Sequence, residues 1–280
     1  MICGALLMKY YTYKYGSWSD QGDVREENQD AVLCCIQEDG DTDPGLKGAG
    51  LFLVADGMGG LSYGSQVSSY AASQFQCWWN EDLPQMIQAG RDSDEDIREL
   101  LEQEIWDINS QIYEFKEREG CRCGSTLSVL LLYNGRYFIE NLGDSRIYRF
   151  QKSRLQQLTK DQSLVAKLVR EQKLSPEEAK TFPKKNVLTM CLGMFQIPES
   201  GFEMGDAQAG DIFLLCSDGF HGCTEEGDTE AVLEDFRKQS CKEERPVQDL
   251  TSQLRGLILP GAAKDNVSII TVEVSKTGSY

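Results

Sequence analysis

The sequence predicts an α+β fold built from antiparallel strands and amphipathic helices. Apolar runs of strand length, such as residues 51–54 and 212–216, are bounded by aspartate and glycine. Other segments repeat apolar side chains every three or four residues, which is the period of a helix with one buried face. Asn134-Gly135 separates two apolar runs and is a strong signal for a tight hairpin. The length suits a single domain over residues 1–280.

Charge and composition argue against several classes of function. The formal net charge of −17 disfavours nucleic acid and anionic membrane surfaces as partners, because both attract positive charge. The single histidine, His221, cannot supply a zinc site built on several imidazoles. No secretory signal or apolar stretch of membrane-spanning length is evident, so we expect a cytoplasmic protein with reduced cysteines and no membrane partner.

The first strands are predicted to bring two carboxylates to one end of a sheet. Alternating or continuous apolar residues predict three strands, over residues 10–19, 31–36 and 51–54. Asp30 precedes the second strand and Asp56 follows the third, so antiparallel neighbours would place both side chains at the same end. Arg25 lies in the polar turn just before Asp30, and we expect it near that end.

The remaining elements follow the same patterns. Apolar spacing predicts helices over residues 65–79, from Ser93 to about Phe115, over 164–171, from Ser175, over 229–237 and over 247–257. Ser93 and Asp96 resemble a capping box at the start of the second helix. Further strands are predicted over residues 126–133, 136–141, 146–150, 212–216 and 267–274. The polar stretch from about 160 to 200 is the least patterned, and we expect it to form a flap over the site.

Carboxylates recur at the strand ends. The recurring residues are Asp30, Asp56, Asp144, Asp218 and Asp265. Each alone could be a turn residue or a helix cap, but several like charges at one place cannot all ionise unless cations hold them. Oxygen ligands without histidine favour Mg²⁺ or Mn²⁺ over zinc. Two such ions about 4 Å apart would activate a bridging hydroxide to attack phosphorus, and Arg25 could bind the phosphate through two oxygens.

At this point the residues resemble a known family, the metal-dependent protein phosphatases of type 2C (the PPM family). The resemblance runs from about residue 13 to residue 274, and its Met-Gly-Gly variant is similar to the bacterial branch. The ordered motifs that carry it are Arg25-x-x-Asn28-Gln29-Asp30, Asp56-Gly57-Met58-Gly59-Gly60, Gly124-Ser125-Thr126, Gly143-Asp144-Ser145-Arg146, Ser217-Asp218-Gly219 and Asp265-Asn266.

The resemblance implies both a fold and an activity. The fold would be a four-layer α-β-β-α sandwich, with two central antiparallel sheets flanked by helices and the metals between the sheets. The activity would be hydrolysis of phosphoserine and phosphothreonine in proteins, with a metal-bridging hydroxide as nucleophile. The expected partners are phosphorylated proteins in a signalling pathway, including substrates of a cognate serine/threonine kinase, and the protein is expected to be a monomer.

The same resemblance assigns roles to residues. The two main Mn²⁺ or Mg²⁺ ions would be held by Asp30, Asp56, the carbonyl of Gly57, Asp218 and Asp265. Asp144, with Asp218, would hold a weaker third ion. The catalytic set would be Arg25, which grips the phosphate, together with Asp56 and Asp218.

Several positions depart from the family pattern. Gln29 stands where a glutamate is usual, and Met58 stands where many members have a histidine that is proposed to protonate the leaving oxygen. In the flap, Asp161-Gln162-Ser163 replaces an Asp-His-Ser sequence, and residues 189–193 are also altered. These departures motivate an alternative, a catalytically weakened regulatory or phosphoprotein-binding module. His221 lies close behind Asp218, and a packing or surface role is the expectation for it.

Overall fold

The computed structural model describes residues 11–37, 46, 48–60, 63–240 and 245–276. Eleven strands lie within these ranges: β1 (Tyr11–Asp20), β2 (Asp30–Ile36), β3 (Gly50–Gly59), β4 (Cys123–Ser125), β5 (Leu127–Tyr133), β6 (Arg136–Leu142), β7 (Arg146–Gln151), β8 (Arg154–Gln157), β9 (Gly201–Asp206), β10 (Ile212–Cys216) and β11 (Val267–Lys276). The described helices are α1 (Tyr63–Asn80), α2 (Asp82–Gln88), α3 (Asp94–Glu119), α4 (Leu164–Arg170), α5 (Pro176–Lys180), α6 (Asp218–His221), α7 (Glu226–Ser240) and α8 (Val247–Arg255).

The strands form two antiparallel sheets. One has the order β1-β11-β10-β7-β8, and the other has the order β2-β3-β5-β6-β9, with β4 attached to the end of β3. The register matters because a slip of one residue would exchange the side chains that face the helices with those that face the other sheet. On β3, Leu51 and Leu53 pack under the helices, whereas Phe52 and Val54 pack between the sheets.

Three apolar clusters lie between successive layers of the fold. The middle cluster joins the sheets through side chains such as Phe52 and Phe213. Helices α1 to α3 cover the β2-β3-β5-β6-β9 sheet through residues such as Phe75, and α7 and α8 cover the other sheet through residues such as Phe236. The arrangement is an α-β-β-α sandwich, so the predicted fold class is confirmed. None of the helices in the described ranges combines the length and apolar composition needed to cross a membrane.

Local signals in the sequence placed several elements correctly. Asn134 and Gly135 both have positive φ, as the tight turn between β5 and β6 requires. Ser93 and Asp96 form the predicted capping box, and Gly120 ends α3 in the left-handed conformation. The strand predicted over residues 10–19 is found at Tyr11–Asp20, and residue 10 lies outside the described residues. Helix α2, the short strands β4 and β8, and strand β9 were not predicted, because each offers few periodic positions.

One carboxylate lies in the core between α3 and the sheet. Glu140 of β6 is fully buried, and neither of its oxygens has a hydrogen-bond partner. Burial and, to a smaller extent, the charge of Glu102 raise its pKa to about 7, while the Ser200 side chain and the charge of Arg98 oppose the shift. Arg98 cannot neutralise this group fully, because its guanidinium donates to Glu102 at 2.8 Å. Folding therefore favours the protonated form of Glu140.

We expect Glu140→Gln to stabilise the protein in a pH-dependent way. The folded carboxyl keeps its proton from about pH 4.5 to about 7, whereas the unfolded carboxyl has lost it, so wild-type stability falls as pH rises through that range. The amide has no such dependence and should gain on the order of 2 kcal/mol relative to wild type by pH 8. Denaturant unfolding at pH 5 and pH 8 measures the difference. An equal difference at both values would contradict the prediction.

Candidate metal centre

The antiparallel register of β2 and β3 brings the first two carboxylates together. Asp30, the first residue of β2, is the direct partner of Asp56 on β3. The side chains therefore lie at the same end of the sheet, which confirms the predicted adjacency. The backbone N–H of Asp56 donates to Thr126 Oγ1 at 2.9 Å, which fixes the strand end that carries the carboxylate.

A serine joins this pair to the second sheet. Ser217 follows β10 and precedes Asp218, and its hydroxyl donates to Asp30 Oδ2 at 2.8 Å. Ser217 Oγ in turn accepts a hydrogen bond from the backbone N–H of Ser268 on β11 at 2.9 Å. Ser217 therefore connects strands of both sheets directly beneath the carboxylates. Sequence reasoning gave it no role, although its place before Asp218 at the end of a buried strand was visible.

Asp265 lies at the rim of the site and is paired with Arg25. The guanidinium donates from Nε to Asp265 Oδ1 at 2.8 Å and from Nη2 to Asp265 Oδ2 at 2.6 Å. Arg25 is thus at the predicted end of the sheet, and about half of its side chain is exposed. The Asn266 side chain accepts from the Gln29 N–H and donates to the carbonyls of Gln21 and Glu27. Asn266 therefore fixes the turn that presents Arg25.

Asp144 lies in the turn between β6 and β7, where the chain passes from one sheet to the other. Gly143 has φ +103°, and the side chain of Thr126 packs against its Cα, so a larger residue would not fit. Thr126 Oγ1 also lies 2.7 Å from Ser145 Oγ. One threonine hydroxyl therefore contacts both the Asp56 backbone and the Asp144 turn.

Gly57 is confined by its neighbours. A Cβ at this position would lie 2.2 Å from the carbonyl oxygen of Gly64, so only glycine fits. Its N–H donates to the Gln29 carbonyl at 3.0 Å. The Gln29 side chain donates from Nε2 to the Gly59 carbonyl at 3.3 Å. The glycine turn after Asp56 is therefore held by both the backbone and the side chain of Gln29.

The carboxylates raise one another's pKa. Burial raises the pKa of Asp56 well above its ordinary value, and the charges of Asp30 and Asp218 raise it further. Burial also raises the pKa of Asp30 to about 6, against the hydrogen bonds of Ser268 and Ser217. The pKa of Asp144 rises to about 7 through burial and the charge of Asp218. The pKa of Asp218 rises to about 6 through burial and the charge of Asp265.

The donor set fits a hard divalent cation. Asp30 Oδ1 and Asp218 Oδ1 are buried and have no hydrogen-bond partner, which is costly unless something positive compensates them. Carboxylate oxygens are the ligands that Mg²⁺ and Mn²⁺ prefer. Across the described ranges, however, no three Asp, Glu, His or Cys side chains lie close enough together to form a finished ligand group. The carboxylates meet as neighbouring pairs, and Asp265 is turned toward Arg25.

His221 contacts the same region, at the end of α6. Its Nε2 lies 3.0 Å from the backbone oxygen of Asp144. Because a carbonyl oxygen only accepts hydrogen bonds, Nε2 is the donor. Burial and the charge of Arg146 lower the pKa of His221 to about 4, so the ring is neutral at neutral pH. The sequence did not predict this contact.

The segment predicted to form a flap, residues 160–200, is hydrogen-bonded to the site region near both of its ends. At its start, Arg146 Nη2 donates to Asp161 Oδ2 at 2.7 Å, and Gln162 bonds Gly143 through both its backbone and its side chain. At its end, Leu192 exchanges two backbone hydrogen bonds with Ser125. The buried Asn109 of α3 accepts from the Gly193 N–H and donates to the backbone carbonyls of Phe195 and Gln196. Asn109 was overlooked in the sequence because it interrupts an otherwise apolar helix face.

Comparison with known proteins agrees with this geometry. The family model described as "Protein phosphatase 2C" matches residues 23–257. A serine/threonine phosphatase, Stp, of Listeria welshimeri is 31% identical over 257 residues, which cover 91% of this chain and 93% of that one. Stp1 of Staphylococcus aureus has a similar structure, with a TM-score of 0.79, 25% identity and coverage of 94% of this chain and 95% of the other.

A third similar structure contains metal. It is the catalytic domain of a serine/threonine protein phosphatase, PstP, in complex with two manganese ions. Its TM-score is 0.74 at 26% identity, and the match covers 95% of this chain and 99% of that one.

Replacing one buried carboxylate by an amide should have opposite effects without and with metal. We expect Asp218→Asn to raise the thermal midpoint of metal-free protein, because it removes a buried charge that faces Asp265. Added Mn²⁺ should raise the wild-type midpoint with concentration, and this rise should shrink in the variant. Differential scanning fluorimetry measures both effects. Asp235→Asn, on the exposed side of α7, is the matched control, and equal Mn²⁺ responses in wild type and Asp218→Asn would refute the prediction.

Proposed function

Because the chain belongs to the protein phosphatase 2C family, we propose that it is a metal-dependent phosphatase that hydrolyses phosphoserine and phosphothreonine in proteins. The observation that carries the proposal is the meeting of carboxylates from both sheets. Asp30 faces Asp56 in the β2–β3 register, and Ser217 ties Asp30 to the turn that bears Asp218. Strands far apart along the chain thus bring acidic side chains to the same end of the sandwich, within electrostatic range of Arg25.

Five groups would hold two Mn²⁺ or Mg²⁺ ions: the side chains of Asp30, Asp56, Asp218 and Asp265 and the carbonyl of Gly57. Asp144, with Asp218, would hold a weaker third ion. The support is the acidic, acceptor-only character of these side chains and the unpartnered oxygens of Asp30 and Asp218. When bound, such ions lower the pKa of water and neutralise phosphate charge.

Arg25 would bind the phosphate at the rim of the site. It lines a cleft of about 790 Å³ whose wall also includes Lys264, Gln29 and Gly59. Asp265 accepts from Nε and from one N–H of Nη2, which leaves both N–H groups of Nη1 and the second N–H of Nη2 for an anion in the cleft. Asp265 thereby fixes the direction of Arg25, and a fixed guanidinium loses less entropy when it binds an anion than a mobile one does.

The proposed substrates are phosphorylated proteins, among them the substrates of a cognate serine/threonine kinase. The open cleft beside Arg25 suits a phosphorylated loop better than an enclosed pocket would. The net charge of −17 disfavours nucleic acid and anionic membranes as partners. We propose that the protein works as a monomer in the cytoplasm.

A second candidate function is a regulatory or phosphoprotein-binding module with weak turnover. The observation that favours it is Gln29, which places a neutral amide at the Gly59 carbonyl, beside the carboxylates. An amide adds no negative charge, so it attracts a cation less strongly than a carboxylate would. Such a module would bind Mn²⁺ and phosphoproteins without hydrolysing them.

Metal-dependent hydrolysis tests the proposal directly. We expect the purified protein to release phosphate from a phosphothreonine peptide with added Mn²⁺ or Mg²⁺ and to stop in excess chelator. Asp56→Ala and Asp218→Ala should each remove most turnover, because each deletes a carboxylate of the centre, while Asp235→Ala should behave as wild type. Phosphate release is followed colorimetrically. Undiminished activity in chelator would refute metal dependence, and metal binding without turnover would favour the regulatory module.

Arg25 should act mainly on substrate capture. We expect Arg25→Ala to raise KM for a phosphopeptide about tenfold or more, since hydrogen bonds to a charged group are worth roughly 1.5–3 kcal/mol. Arg25→Lys should recover little of this, because an ammonium cannot pair with Asp265 and phosphate in the same fork geometry. Lys264→Ala, in the same cleft, is the matched control for loss of one positive charge. Steady-state kcat and KM distinguish the cases, and an Arg25→Ala enzyme with wild-type KM would exclude the role.

A further inference from the structure

His221 is the only histidine of the chain, and it connects two acidic turns. It is the last residue of α6, and Asp218 is the first. Helix α6 is pressed against the start of β11, because a Cβ at Gly219 would lie 2.0 Å from the Asn266 carbonyl oxygen. One end of α6 is thus fixed against the strand that follows Asp265. At the other end, His221 Nε2 donates to the Asp144 carbonyl at 3.0 Å.

The two turns would otherwise repel each other. Asp218 begins the four-residue helix whose last residue bonds the Asp144 backbone, and carboxylates that approach each other repel when both are ionised. They also belong to different connections: Asp144 lies in the passage from β6 to β7, and Asp218 follows β10. The neighbouring Phe220 is buried in the apolar cluster under α7 and α8. Packing of α6 is therefore supplied by Phe220, and His221 contributes a polar contact.

We propose that His221 is a positioning residue, whose Nε2–H holds the Asp144 turn against the Asp218 helix so that both carboxylates can bind one divalent cation. The inference rests on the proposed metal centre and adds to it a residue that no carboxylate pattern reveals. In the donor tautomer that the carbonyl requires, Nε2 has no lone pair to offer a cation, so the role proposed for this nitrogen is to position the Asp144 turn. It would act as the hydrogen-bonded groups around metal ligands do, by fixing ligand orientation.

Two substitutions separate the hydrogen bond from the volume of the ring. His221→Phe keeps a planar ring and cannot donate. His221→Gln has an amide nitrogen at a distance along the side chain similar to that of Nε2, and it can donate to the Asp144 carbonyl. Mn²⁺ alone is the probe, titrated into the metal-free full chain by calorimetry and by electron paramagnetic resonance of free Mn²⁺. Thermal unfolding without metal checks that each variant is folded.

We expect His221→Phe to weaken one Mn²⁺ binding step about ten- to hundredfold, as loss of groups that orient ligands does elsewhere, and to leave the tighter steps unchanged. His221→Gln should stay within a few-fold of wild type. Asp144→Asn identifies the step, and adding His221→Phe to it should cause no further loss, because both changes affect the same site.

Three results of the Mn²⁺ titrations would contradict the proposal. A wild-type isotherm for His221→Phe, an equal loss in His221→Gln, or a uniform weakening of every step would overturn the positioning role. These results are independent of turnover. A protein that binds Mn²⁺ as expected but releases no phosphate would refute the proposed activity and leave the role of His221 intact. An active enzyme whose His221→Phe variant binds Mn²⁺ as wild type does would support the activity and refute the role of His221.

Discussion

The main constraint on this structure is the mutual repulsion of buried carboxylates at one end of the two-sheet sandwich. Asp30, Asp56 and Asp218 are surrounded by protein and by one another's charge, and the pKa of each is raised as a result. Such a cluster opposes folding unless protons or cations neutralise it. Repulsion between the carboxylates would separate the strand ends, so neighbouring residues have to hold these ends together. Burial of the apolar core between the sheets offsets the unfavourable free energy of this repulsion.

Two hydroxyl groups connect the strand ends around the carboxylates. Ser217 joins Asp30 to β11, and Thr126 joins the Asp56 backbone to the Asp144 turn. A hydroxyl suits this position because it donates to a carboxylate and accepts from a backbone N–H at the same time. It also adds no charge, so it steadies the acidic groups without neutralising them. An arginine or lysine in these places would compete with a cation for the same oxygens, as Arg25 does for Asp265 at the rim.

The sequence was sufficient for the parts that local chemistry decides. The alternation of β3, the hairpin at Asn134-Gly135 and the capping box at Ser93 are each specified by a few adjacent residues. The pairing of Asp30 with Asp56 followed from strand polarity alone. Contacts between distant segments were different. The Ser217 bridge, the Arg25–Asp265 pair and the insertion of Asn109 into the flap each depend on where whole elements pack, and a single sequence carries no periodic signal for that.

The flap shows why departures from the family pattern need not disturb the centre. Gln162, one such departure, accepts the Gly143 N–H, donates its own N–H to the Gly143 carbonyl and donates its side chain to the Glu199 carbonyl. An amide has one acceptor and two donors to offer, so it can tie the glycine before Asp144 to the far end of the flap.

At the other anchor, Leu192 pairs with Ser125, whose strand β4 pairs in turn with Gly57 to Gly59 on β3. Both anchors thus end on backbone that positions a carboxylate. The hydrogen bonds at Gln162 and Leu192 therefore connect the two ends of this segment to the strand ends that carry Asp144 and Asp56.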